Sequence, residues 1–285
     1  MDDNQLCAHM RPADVQLHRA KLEGCILSIQ EWCAARRLQL NPDKTELIWF
    51  GSRANLSKLN MDDLSLRLGS VVIKPSDTVR DLGVILDSEL TMRPHIAKIA
   101  SVCFFHLRRL RQIQRFTGQT TMQRLVSAFV LSRMDYCNVV LAGLPSSTLA
   151  PLQRVLHAAV RLVAGLGRRD HITETMKELH WLPVNYRVKF KACLLMHSAA
   201  NGQCPSYIVE LVTPISTVPG CSGLRSSAAG LYIVPRTRTK FGDRAFSVAG
   251  PREWNALPAA VRDIAERSAF RRALTTHLFK LAYDV

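Results

Sequence analysis

Between Pro12 and Leu38 the apolar residues Val15, Leu17, Leu22, Ile26, Ile29, Trp32 and Cys33 recur at helical spacing with charges between them. That period predicts an amphipathic helix, and Pro12 suits its first turn. Asn41-Pro42-Asp43 ends it, because Pro42 biases Asn41 away from the helical region. Thr45 to Gly51 (TELIWFG) is short, apolar and closed by glycine, which predicts a strand; polar Ser52 to Asp63 predicts a loop. LSLRLGSVVIK alternates before running apolar, and VRDLGVILD follows Pro75-Ser76-Asp77. Together they predict a small antiparallel meander with turns at Gly69-Ser70 and Pro75 to Asp77.

After Asp87 the period becomes helical. Thr91 to Gln114, Thr120 to Tyr136 and Ser146 to Leu166 read as helices separated by Gly118, Gly143-Leu144-Pro145 and Gly165 to Gly167. TETMKELHWLP and VNYRVKFKACLLMHSAANG predict two more, divided by Pro183. A Ser/Gly/Pro-rich region from Pro205 to Arg238 holds one strand-like run, GLYIVPR, and an amphipathic helix spans Ser268 to Leu281. No repeat recurs at fixed period. The implied fold class is α+β, mostly helical, with a small sheet near the N-terminus.

Charge adds a partner to this picture. The 285 residues are 47% hydrophobic, enough for a core, yet carry a formal net charge of +15. Such an excess favours a polyanion, most simply nucleic acid. It concentrates between Lys98 and Arg169, where Lys98, Arg108, Arg109, Arg111, Arg115, Arg124, Arg133, Arg154, Arg161, Arg168 and Arg169 face only Asp135. A solvated helix face ordinarily mixes signs, and the guanidinium fork fits phosphate better than an ammonium does. The eight cysteines are scattered without a CxxC or a tight Cys/His cluster, which argues against a zinc knuckle or a disulfide scaffold. No secretory signal pattern and no membrane-length apolar run occurs. The expectation is a soluble intracellular protein, cytoplasmic or nuclear, with no membrane partner.

Candidate chemistry begins at Asp2-Asp3. A metal-dependent phosphoryl transferase holds two Mg²⁺ ions with carboxylates from at least two places. An Asp-Asp step can supply one side only on a tight turn, since neighbours on a strand point to opposite faces. Asp62-Asp63 lies in a polar stretch and reads as solvated. The nine histidines are scattered, and no GxSxG, HExxH or P-loop is present. Trp181, Trp254, Phe241 and Phe246 could stack on bases, although aromatics near prolines more often pack a small core.

The order of features resembles the end of the palm of a non-LTR retrotransposon (LINE-type, jockey-like) reverse transcriptase. In that family an aromatic-x-Asp-Asp turn is followed by a helix, an Asn-Pro-x-Lys-Thr-Glu stretch and a Leu-Gly-Val hairpin. Here Met1-Asp2-Asp3-Asn4-Gln5-Leu6 is similar to the turn without its leading aromatic. Asn41 to Glu46 (NPDKTE) matches the second motif, and Leu82 to Asp87 (LGVILD) the third. LSRMDYCNVVLAGLP and LQRVLHAAVRLVAG resemble the family's thumb. HWLPV, GLRSSAAGL, VPRTR, FGDRAFSVAGPREWNALP and LTTHLF resemble its C-terminal extension.

The resemblance implies a partial palm over 1–88, an arginine-rich helical thumb over 89–167 and an extension of unknown role over 168–285. It implies catalytic, Mg²⁺-binding roles for Asp2 and Asp3. It makes Lys44 a general acid toward pyrophosphate, a residue that by itself reads equally as a solvated turn lysine. Leu82, Gly83 and Val84 become a primer grip, and Arg108, Arg109, Arg111, Arg115 and Arg124 contact RNA or an RNA–DNA duplex. The family's further metal-binding Asp, its fingers and its endonuclease are not among these residues. The expectation is therefore a polypeptide that binds primer-template but does not polymerise by itself, with the missing polymerase and endonuclease parts as possible partners. The alternative is a non-catalytic remnant acting as a protein-interaction or self-associating module, its uncovered apolar faces seeking partners.

Overall fold

A computed structural model describes residues 5–59, 64–69, 71–218 and 230–284. Asp2, Asp3, Asp62, Asp63, Ser70, Cys221 and most of GLRSSAAGL lie outside the described residues. The chain divides into two compact units, the first ending at His95 and the second beginning at Ile96. The fold is α+β and mostly helical, with two small antiparallel sheets among the described residues.

In the first unit, a 3-10 turn at Pro12–Asp14 leads into α1 (Val15–Ala35). The proline occupies a position whose N–H has no helical partner in any case. The apolar stripe of α1 is only partly covered: Val15 and Cys33 are buried and Leu22, Ile26 and Ile29 half-buried, while Leu17 is 58% and Trp32 52% exposed. After the short α2 (Arg53–Leu56) come two hairpins, β1 (Leu66–Leu68) with β2 (Val71–Ile73), and β3 (Thr78–Asp81) with β4 (Val84–Asp87). They form separate two-stranded sheets, which corrects the predicted meander. Pro75 between β2 and β3 cannot donate to a ladder, and it makes a single parallel bridge to Leu47 instead. That bridge is all that forms of the strand predicted at Thr45 to Gly51. The segment is tied by Ser76 N–H to Leu47 O, Gly51 N–H to Ser88 O and Trp49 Nε1 to Leu64 O.

In the second unit, the stripe of α3 (Arg93–Ile113) is regular: Ile96, Ala100, Cys103, Leu107 and Leu110 are buried at alternating four- and three-residue steps. Next come α4 (Gln119–Val126), a π turn (Ser127–Leu131) and α5 (Ser132–Asp135) in continuous succession. Then α6 (Ser146–Ala164) buries Leu152, Val155, Leu156, Ala159, Val160, Leu162 and Val163 and packs on α4. Burial of one such leucine contributes about 1.5–3 kcal/mol, so this helix anchors the unit.

The C-terminal part builds a second core around α8 (Val184–Ala200), after the short α7 (Thr173–Glu178). It is followed by α9 (Ser206–Val209), α10 (Phe246–Asn255), α11 (Ala259–Arg262) and α12 (Arg267–Tyr283). Met196, Cys193, Trp254, Phe270 and Leu274 fill that core. GLYIVPR contributes a single bridge, Pro214 to Tyr232, in place of the predicted strand. Asn255 explains why one bridge suffices: its side chain accepts from Tyr232 N–H at 3.0 Å and donates to Tyr232 O at 2.7 Å, acting as a strand partner. Among the described residues no helix is long and apolar enough to cross a membrane, and all seven described cysteines are free thiols.

Candidate nucleic-acid interface

The helical stripe of α3 dictates where its cations go. With Leu107 and Leu110 turned inward, Arg108, Arg109 and Arg111 are exposed on the remaining face, and Arg115 follows on the 3-10 turn Gln114–Phe116. Arg108, Arg111 and Arg115 stand three and then four residues apart, which makes them neighbours along one ridge. Arg124 is exposed on α4, in a shallow depression lined by Thr120, Gln123, Ser127 and Ala128. The one acid of the basic stretch, Asp135, is taken by Arg187 from α8 through a two-pronged ion pair. None of Arg108, Arg109, Arg111, Arg115 and Arg124 forms an ion pair among the described residues. Arg111 and Arg115 near the C-terminal end of α3 also complement its dipole, a role that leaves their outer edges open to water.

Aromatic rings interleave with these cations. Phe105 is 50% and Phe129 44% exposed, and half-buried His106 lies between them. The His106 ring stacks on Phe129 (5.6 Å, 23°) and meets Phe105 edge-on at 5.5 Å. Partial burial, then the nearby Arg133 guanidinium, lower the His106 pKa below that of an ordinary imidazole. Phe116 is exposed beneath the Arg115 guanidinium, 5.0 Å from its ring centre. These rings were missed in the sequence; a Phe-Phe-His run inside an arginine-rich helix was the available signal. The Trp and Phe residues considered there as base platforms mostly serve the second core instead. Trp254 and Trp181 are buried, Trp254 Nε1 donates to Gly230 O at 2.9 Å, and Phe246 packs against the same cluster. Phe241 is exposed.

In the first unit, the NPDKTE motif forms a capped turn. Asn41 Oδ1 accepts from Asp43 N–H at 3.0 Å, Thr45 Oγ1 donates to Asn41 O at 2.8 Å, and Glu46 accepts from Arg80 N–H on β3. The side chains of Asn41 and Thr45 thus build the turn, Glu46 ties it to β3, and Lys44 is left exposed on it. The β3–β4 hairpin closes through Leu82 (φ +43°) and Gly83 (φ +88°), the paired left-handed conformation of a type I′ turn. Leu82 is 69% exposed while Val84 is buried. Next to the turn of this hairpin, Gln5 donates to Asp81. Asp2 and Asp3, the residues implied as Mg²⁺ ligands, lie outside the described residues. Among those described, no group of three or more His, Cys, Asp or Glu side chains is placed to hold a metal ion.

Compared with protein-family models, with curated proteins and with solved structures, the chain finds no match.

Proposed function

We propose that these residues are the C-terminal part of an RNA-directed DNA polymerase of the non-LTR retrotransposon type, and that the second unit grips the phosphates of RNA or of an RNA–DNA duplex. One observation carries the binding role: exposed, unpaired guanidinium groups at Arg108, Arg109, Arg111, Arg115 and Arg124, beside a lone carboxylate that Arg187 already neutralises. In this reading residues 1–88 end a palm, 89–167 form a thumb and 168–285 an extension. The exposed Leu82 on a left-handed backbone supports a hairpin tip shaped for contact, as a primer grip with Gly83 and Val84 requires. Lys44, free at the surface of a rigid turn, is available to an incoming nucleotide. Asp2 and Asp3 are the carboxylates toward which Mg²⁺ belongs in this reading.

Phosphate contacts of this kind are non-specific and weaken steeply with salt. Reversing Arg108, Arg109 and Arg111 together to glutamate should lower RNA affinity and reduce the slope of log affinity against log salt by about three. Fluorescence anisotropy with a labelled RNA hairpin at several salt concentrations measures both. Unchanged binding returns the three arginines to ordinary surface.

A second reading rests on the first unit. Leu17, Leu27, Trp32, Leu38 and Phe50 are exposed there, and apolar side chains gathered into one patch mark a partner face. Gel filtration separates the readings: a nucleic-acid binder runs as a monomer, whereas a self-associating module stays oligomeric in high salt.

A further inference from the structure

We propose that Phe105, His106 and Phe129 form a stacking platform for the unpaired bases of a single-stranded nucleic acid, whose phosphates the flanking arginines hold. The inference rests on the binding role proposed above and names the form of nucleic acid that this face takes. Three observations converge. Two phenyl rings each contact one imidazole between them, yet the phenyls keep about half their surface in water. Arg108 and Arg109 follow Phe105 by three and four residues on α3, the positions whose side chains border it. Arg133, close enough to act on His106 and Cys103, borders the set from α5.

The backbone is arranged to present Phe129. Met122, Val126 and Val130 are buried at four-residue steps, and then Leu131 and Met134 are buried as well. The π turn at Ser127–Leu131 makes this register change by inserting a residue. Such turns recur at functional positions. Through it both Val130 and Leu131 face inward while Phe129 stays outside.

Charge selects the occupant. A second copy of this chain would bring its own arginines against these, and the cost of like charges disfavours it. A duplex offers phosphates but keeps its base faces stacked inside. An unpaired strand offers both a π face for each ring and a phosphate for each guanidinium.

The test compares a labelled oligo(U) with an RNA duplex of equal length, using the full chain and the variants Phe105→Leu/Phe129→Leu and Phe129→Trp. Leucine keeps apolar bulk and removes the π face. The double variant should bind oligo(U) about tenfold more weakly with an unchanged salt slope and should bind duplex as before. Phe129→Trp should hold or raise oligo(U) affinity, which a mere folding defect would not produce. Ultraviolet cross-linking of 5-iodouridine-substituted oligo(U) to the unaltered chain should label Phe105 or Phe129. Equal losses on both ligands, no loss on either, or cross-links elsewhere would sink the platform while leaving arginine binding intact. Absence of any salt-sensitive binding by the unaltered chain would overturn both the platform and the binding role beneath it. A dimer abolished by the leucine pair would reassign the face to self-association and overturn the platform.

Discussion

Asp87 ends β4 buried, and its two carboxylate oxygens accept from Thr91 N–H and Met92 N–H at 2.8 Å each. Those bonds hold Leu90 (φ +48°) and Met92 (φ +61°) in left-handed conformations that apolar side chains rarely adopt. Beside it His95 is buried, with Nδ1 placed to accept from Ile85 N–H at 3.3 Å. That bond requires an unprotonated Nδ1, and burial lowers the His95 pKa below its ordinary value. The unfolded chain therefore takes up a proton at higher pH than the folded one. The stabilisation is complete above the unfolded imidazole pKa and is lost as pH falls through it toward the folded value. Urea midpoints at pH 7.5 and 5.5 should show a loss on acidification, smaller in His95→Asn, whose Oδ1 still accepts but does not titrate in this range. An equal loss in both proteins assigns the acid sensitivity elsewhere, His106, His157 and His277 being the other imidazoles with lowered pKa. The family resemblance implied a hairpin at Leu82 to Asp87; the buried roles of Asp87 and His95 depend on contacts across loop residues that no period reveals.

At the level of elements, α10 packs on α8 with no room for a side chain at Gly250. A Cβ there would lie 2.9 Å from Met196 Sδ and 2.9 Å from the Phe246 ring. Gly250→Ala should lower stability by about 1–2 kcal/mol, overpacking outweighing a helix-propensity gain of about 1 kcal/mol. Chemical denaturation measures this, and a rise in midpoint would mean that Met196 swings aside freely. The long helices were legible because their buried faces repeat: α3, α6 and α12 fall within a few residues of their predicted bounds. TELIWFG misled because apolar runs suit any half-covered segment, and whether one becomes a strand depends on a neighbour with free ladder groups. The register shift at Ser127–Leu131 was equally hidden, since a π turn keeps helical composition.

Over the whole molecule, the charge is unevenly placed: ten arginines and one lysine stand between Lys98 and Arg169 against one acid, which is engaged from α8. The proposed polymerase reading also predicts a limit. Its motifs in these residues supply one carboxylate step, Asp2-Asp3, whereas a two-metal centre draws on at least two segments. Purified polypeptide should show no Mg²⁺-dependent incorporation in a primer-extension assay, and incorporation that disappears in Asp3→Ala would overturn that expectation. By itself the sequence determined the mostly helical α+β class, the main helices, the first hairpin and the acid-poor basic stretch, because each is written in local period or composition; the turn at Leu82-Gly83 splits a run that by its period read as one strand. Only the tertiary structure decided which rings stay in water, which acid is spent on Arg187 and which motif residues are structural. Those outcomes depend on packing between segments tens of residues apart, and side-chain burial there is settled by the partner that arrives.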